Sequence, residues 1–174
     1  YEHSMGTPLI VTGPGIPRGK SSNALVYLYD LFPTICSWTG AAVPEKVEGK
    51  NLAGIVAGNS SSVRTSLFTT YENLMRSVRD DRYKLIRYTQ INHTQLFDLR
   101  EDPDELKNLI QEPSQAERAG RLINLLAEWQ QKTGDKTPLT SKNPRPKAID
   151  LTGRRRKPDR HQPPEILKKY FSAP

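Results

Sequence analysis

Cysteine is nearly missing from this 174-residue chain: Cys36 stands alone. A single thiol excludes a disulfide framework and any zinc site built from several thiolates. No apolar run approaches the roughly 18 residues of a membrane span, and no signal peptide opens the chain. The first residue is Tyr and not Met, which reads as a processed or truncated product. A dinucleotide fingerprint is also missing, because Arg18 stands where the third glycine after Gly13-Pro14-Gly15 belongs and no helix follows directly. What is present is positive charge, with 26 Lys+Arg against 19 Asp+Glu and a net of +7. It is unevenly placed. Residues 1–135 hold 15 basic and 16 acidic side chains, whereas residues 136–174 hold 11 and 3, with 7 of the 14 prolines and one glycine. The basic character therefore belongs to a proline-rich tail, expected to be extended and poor at forming a core. The length suits one domain or slightly more, burying roughly two thirds of its unfolded surface.

Pro8-Leu9-Ile10-Val11-Thr12, stopped by Gly13-Pro14-Gly15, predicts a buried strand, and a second apolar run spans Ala24–Tyr29. Asp30 is placed to cap a helix that begins at Leu31 and stops at Gly40, with Cys36 as a small apolar filler on it. Residues 41–64 are rich in Gly, Ser and Asn and read as irregular. Ser66–Tyr71, Leu74–Arg79, Tyr83–Tyr88 and Thr94–Leu99 are short β-like runs separated by tight breaks, the pattern of an antiparallel meander. Asp102-Pro103-Asp104-Glu105 resembles a cap and first turn of a short helix reaching Leu109. Ser114 and Glu117 form a capping box before Ala119, Leu122, Ile123, Leu126 and Trp129, which recur at helical spacing and predict a helix packed on the sheet and ended by Gly134.

Tyr1-Glu2-His3-Ser4-Met5 running into Pro8–Val11, then Asp30-Leu31-Phe32-Pro33-Thr34 and Val47-Glu48-Gly49-Lys50, resemble the late part of a type I (formylglycine-dependent) sulfatase. So do Ser77–Ile86, Leu96–Leu99 and Asp102–Leu109. The resemblance covers about residues 1–135. It implies an α/β fold: residues 1–64 as the end of an alkaline-phosphatase-like sheet, 65–135 as a small four-stranded antiparallel sheet with a packing helix, and 136–174 as an extended basic tail of bacterial type. It also implies a parent enzyme that hydrolyses sulfate esters with formylglycine and Ca2+, both carried upstream of this segment, and that is periplasmic or secreted. On this reading the chain by itself holds no catalytic residue, metal ligand or cofactor. Cys36 lacks the Pro or Ala and the Arg of the formylglycine motif, and Asp80-Asp81 reads as a hairpin turn.

The resemblance places a sulfate-binding Lys shortly before Tyr1, so Glu2, His3 and Arg79 are the candidate substrate-binding residues. Gly6-Thr7 departs from relatives that carry Arg in place of this Gly. Arg76, Arg79, Arg82 and Lys84 either line the substrate side, as anionic sugars favour, or form a solvated sheet face paired with Asp80, Asp81 and Glu72. The expected partner is a sulfated small molecule or glycan, with no specific nucleic acid and no membrane. Asn59-Ser60-Ser61 and Asn92-His93-Thr94 are formal glycosylation sequons, idle in a bacterial setting. Two other readings stay open: a phosphomono- or phosphodiesterase of the same superfamily, and a stand-alone polyanion-binding module acting through the basic tail, which includes the Arg154–Lys157 run. An isolated chain of this layout is expected to expose apolar surface. A salt-dependent pulldown on heparin or DNA, comparing the full chain with one ending at Asp135, separates the module reading. Tail-dependent capture supports it, and weak capture indifferent to the tail removes it.

Overall fold

The structure, a computed structural model, describes residues 1–148, 152 and 161–171. It opens on a short helix, α1 (Glu2–Met5), followed by irregular chain and a 3-10 turn at Leu28–Asp30 that leads into α2 (Leu31–Thr39). α3 (Ala53–Val56) interrupts an otherwise irregular stretch before the strands β1 (Leu67–Tyr71), β2 (Met75–Arg79), β3 (Tyr83–Tyr88) and β4 (His93–Asp98). These pair as a meander in the order β1-β2-β3-β4, all antiparallel. α4 (Ala116–Thr133) returns across the sheet, and α5 (Pro164–Phe171) lies in the tail.

The register explains the core. Phe68, Val78, Leu85 and Leu96 stand side by side on one face. α4 lays Ala119, Leu122 and Leu126 against them. Full burial of Val78, Leu85, Leu96, Leu122 and Leu126 stabilises by roughly 1.5–3 kcal/mol per side chain. Ile123 points away and stays exposed. Trp129 stacks on Phe68 with centroids 6.1 Å apart and donates Nε1–H to Ser66 Oγ at 2.8 Å, so it is edge packing. The sheet edges are covered as well. The Tyr27 hydroxyl bonds both the N–H and the carbonyl of Phe68 on β1, and Asn108 Oδ1 accepts from Leu96 N on β4.

The Asp30-to-Thr34 and Val47-to-Lys50 motifs form one clamp. Asp30 is fully buried and accepts from Tyr27 N and Lys50 N, each at 2.7 Å, while Arg64 Nη2 donates to it at 2.7 Å. Thr34 Oγ1 accepts from Leu52 N at 2.8 Å. The returning loop lies so close that a Cβ on Gly49 would meet Tyr29 O at 2.7 Å and the Pro33 ring at 3.1 Å.

Several expectations change. Pro8–Thr12 forms no strand, and Ala24–Tyr29 is irregular until the 3-10 turn. A strand needs a hydrogen-bonded neighbour, and among the described residues none pairs with either segment; Ile10 is 89% exposed. Asp30 occupies the cap position of α2 but makes no cap hydrogen bond, because its carboxylate is engaged by Tyr27, Lys50 and Arg64. The 102–109 stretch is turns and not a helix: Asp102 accepts from Leu106 N and Lys107 N, and Glu105 takes φ 55°. Ser114 caps nothing, since it lies inside a 3-10 turn (Pro113–Gln115) with Gln115 at the cap position of α4. Gly40 and Gly134 end α2 and α4 in the left-handed conformation as the sequence predicts.

The tail is not extended throughout: Pro164–Phe171 is the helix α5, and residues 136–148 strap the sheet. Arg87 donates to Leu139 O at 2.6 Å, and Ser141 N and Arg145 N donate to Asn92 Oδ1 and Gln90 O. The Arg154–Lys157 run lies outside the described residues. Phe32, Ile35 and Trp38 of α2, with Leu28 and Tyr29 before it, are exposed, the apolar surface the sequence leads one to expect. Urea denaturation of Gly49→Ala is expected to show a loss of about 1–3 kcal/mol, because backbone must move; a change under about 0.5 kcal/mol would mean that the loop yields freely.

Candidate functional site

The sheet face opposite α4 carries Leu67, Thr69, Ser77, Arg79, Lys84, Ile86 and Phe97 by register. The N-terminal segment lies against it. Tyr1 donates its hydroxyl proton to Gln95 Oε1 at 3.0 Å and packs its ring on Phe97, centroids 6.0 Å apart. α1 then places Glu2 over the middle strands. Between this segment, residues 23–28 and the sheet opens a cleft of about 550 Å³, with Glu2, Thr69, Ser77, Arg79, Asp81, Lys84 and Arg100 among its polar lining.

An interlocked set of charges forms one wall. Arg79 donates to Glu2 Oε2, and Lys84 Nζ donates to Glu2 Oε1 at 3.0 Å. The Lys84 side chain is only 3% exposed and also sits 2.9 Å from Glu105 Oε1, in an ion pair without hydrogen-bond alignment. Glu105 Oε2 accepts the backbone N–H of Glu2. Burial pushes the Glu2 carboxyl up, but the hydrogen bond and charge of Lys84, joined by Arg79, outweigh it and hold Glu2 below its ordinary value.

Glu2 and Arg79, two of the sequence-predicted site residues, are thus brought together. His3 is not: it is exposed, stacks on the Tyr1 ring at 5.8 Å and does not line the cleft. The solvated-face reading of the basic cluster is corrected in its partners. Arg76 is buried and bound to Asp135, and Arg82 pairs with Asp98, whose carboxyl is held down at about 2 chiefly by that hydrogen bond. Arg79 and Lys84 take Glu2 and Glu105. Asp80 serves the turn, accepting from Arg82 N and Tyr83 N, and it pairs outward with Arg121. Neither Glu72 nor Asp81 forms an ion pair with the cluster among the described residues; Glu72 contributes only its carbonyl, to Arg76. Glu105 and Asp135 escaped the sequence reading, since nothing local distinguishes them from other surface acids.

The described residues offer calcium no set of ligands. Among the described residues no group of three or more His, Cys, Asp or Glu converges as metal ligands, and Asp80 is already occupied. Cys36 is buried on α2, away from the cleft lining. No helix among the described residues is long and apolar enough to cross a membrane.

A family model described as N-sulphoglucosamine sulphohydrolase, C-terminal, matches residues 1–132. The Delta 4,5-hexuronate-2-O-sulfatase of Bacteroides thetaiotaomicron is 34% identical over 124 residues, 65% of this chain and 26% of that protein. Arylsulfatase K of Xenopus laevis is 26% identical over 145 residues, 74% of this chain and 27% of that protein. The solved structure of a 2-O GAG sulfatase superposes with TM-score 0.62 at 30% identity, over 71% of this chain and 29% of that one. The chain spans about a quarter of the length of these curated relatives.

The depressed Glu2 carboxyl has a pH consequence. A group whose folded value lies below its unfolded one contributes stability that is complete above the unfolded value, about 4.3, and is lost as acid protonates it in the folded state. Melts of the native chain and Glu2→Gln are therefore expected to differ at pH 6 and to converge as the pH falls below the ordinary carboxyl value and through the depressed one. A gap that stays constant through that range would count against the ion pairing.

Proposed function

The chain belongs to the N-sulphoglucosamine sulphohydrolase C-terminal family, and from that premise we propose that it serves as the C-terminal region of a sulfuric ester hydrolase, completing the catalytic α/β half and forming part of its substrate cleft. The observation that carries the proposal is the family match over residues 1–132, which takes in both the meander and the N-terminal segment bearing Glu2. The formylglycine and the calcium of the intact enzyme lie on residues outside this chain. Glu2 and Arg79 shape the substrate-side wall.

The exposed apolar side chains of α2 support this reading. Phe32, Ile35 and Trp38, with Leu28 and Tyr29, are exposed, as expected of a helix whose packing partner belongs to the rest of the protein. The substrate we infer is a sulfated glycan. Support comes from two relatives, a hexuronate-2-O-sulfatase and a 2-O GAG sulfatase, together with a cleft bordered by Arg79, Lys84 and Arg100.

The isolated chain is expected to show no turnover of p-nitrophenyl sulfate with calcium present. Produced together with the polypeptide encoded directly upstream of Tyr1, it should hydrolyse that ester. Turnover by the chain alone at the rate of a full-length sulfatase overturns the proposal, as does a joined protein that cleaves p-nitrophenyl phosphate and leaves the sulfate intact.

A further inference from the structure

Glu105 occupies a conformation its side chain does not favour. Its φ of 55° lies in the left-handed region, where glycine and asparagine are the usual occupants. Its neighbour Leu106 is 83% exposed, and apolar packing resumes only at Leu109 and Ile110. Asp102 ties the turn from outside through Leu106 N and Lys107 N. The Glu105 carboxylate alone reaches in, with its side chain 1% exposed. There it makes two contacts. Oε2 accepts the N–H of Glu2, and Oε1 faces Lys84 Nζ at 2.9 Å with no hydrogen bond of its own. Lys84 in turn donates to the Glu2 side chain at 3.0 Å. Glu2 is therefore gripped twice, by its backbone directly and by its carboxylate through Lys84.

We propose that Glu105 is a positioning residue, which fixes the segment 1–6 against the sheet and so sets the cleft wall formed by Glu2 and Arg79. This rests on the reading of that wall as the substrate side. The turn after β4 tolerates an unfavoured backbone because the carboxylate it delivers is what holds the N-terminal segment. Lys84 makes the arrangement conditional on charge. With one carboxylate removed it keeps the other; with both removed it is a buried ammonium with no counter-charge, which a protein interior does not tolerate.

The test is amide hydrogen exchange on the full 174-residue chain, which involves no sulfate ester and so fails or succeeds separately from the proposed activity. The reporters are Ser4, Met5 and Gly6, whose N–H groups bond Tyr1 O and Glu2 O, compared with core amides at Leu122 and Leu126. Glu105→Ala is expected to speed exchange at the reporters at least tenfold while the core amides stay within twofold. Glu105→Gln keeps an acceptor for Glu2 N, so its increase should be smaller than that of alanine. Equal increases in reporters and core, or none at the reporters, overturn the proposal. Should Glu105→Ala fail to fold, Glu2→Gln and Glu105→Gln are compared singly and together. An increase in the double variant beyond the product of the single ones supports the shared grip through Lys84, and an increase equal to that product overturns it.

Discussion

Everything on the cleft side of the sheet follows from one constraint: Lys84 carries its ammonium where almost no water reaches it. A charge so placed needs carboxylates at hand, because desolvation otherwise costs several kcal/mol. β3 has none to offer. The carboxylates arrive from the N-terminal segment and from the turn after β4, 82 and 21 positions away in sequence. Meeting at Lys84, they join the start of the chain to the turn after β4, across a face that α4 does not touch. Apolar replacement of such a cluster is often neutral for stability, so its value here lies in fixing which segment lies where.

The opposite face solves a similar problem differently. Arg76 is buried beside the helix-side core and is satisfied by Asp135 and Thr137, just past the end of α4. Its planar fork suits the bidentate carboxylate that the end of the helix supplies. Burial would raise the Asp135 carboxyl, but the Arg76 hydrogen bond is the larger influence and holds it well below the ordinary range. A third buried pair, Asp30 with Arg64, attaches the irregular first third of the chain to β1 through Tyr27, over whose ring the guanidinium lies at 4.7 Å. Three connections between distant parts of the molecule thus run through an arginine or lysine and a carboxylate remote in sequence.

That remoteness explains what sequence makes legible here. The meander is readable because alternation and turn residues are local: Leu85 lies on the face of Tyr83 and Ile86 on the other, as period two requires, and α4 follows from the spacing of Ala119, Leu122 and Leu126. The 102–109 stretch misleads because Asp-Pro-Asp-Glu serves equally as a helix start and as a turn in which Asp102 accepts two backbone N–H groups. The stretch is engaged by Lys84 at Glu105 and by Leu96 at Asn108 and Leu109, partners that local propensity does not see. The same holds for Asp30, where a cap position is real but the carboxylate is drawn to Lys50 N and Arg64. Of the candidate site, Glu2 and Arg79 were readable as members, and their contact was not.

The charge arrangement also refines how the cleft meets an anion. Arg79 and Lys84 are already offset by Glu2 and Glu105, so this quartet is formally neutral and adds little attraction at a distance. Its contribution is shape: a wall locked in place before any ligand arrives, which spares binding the cost of ordering it. Attraction falls instead to Arg100, exposed at the rim after β4 and without an ion-pair partner among the described residues. A rim cation beside a preformed neutral wall draws an anion inward without trapping it.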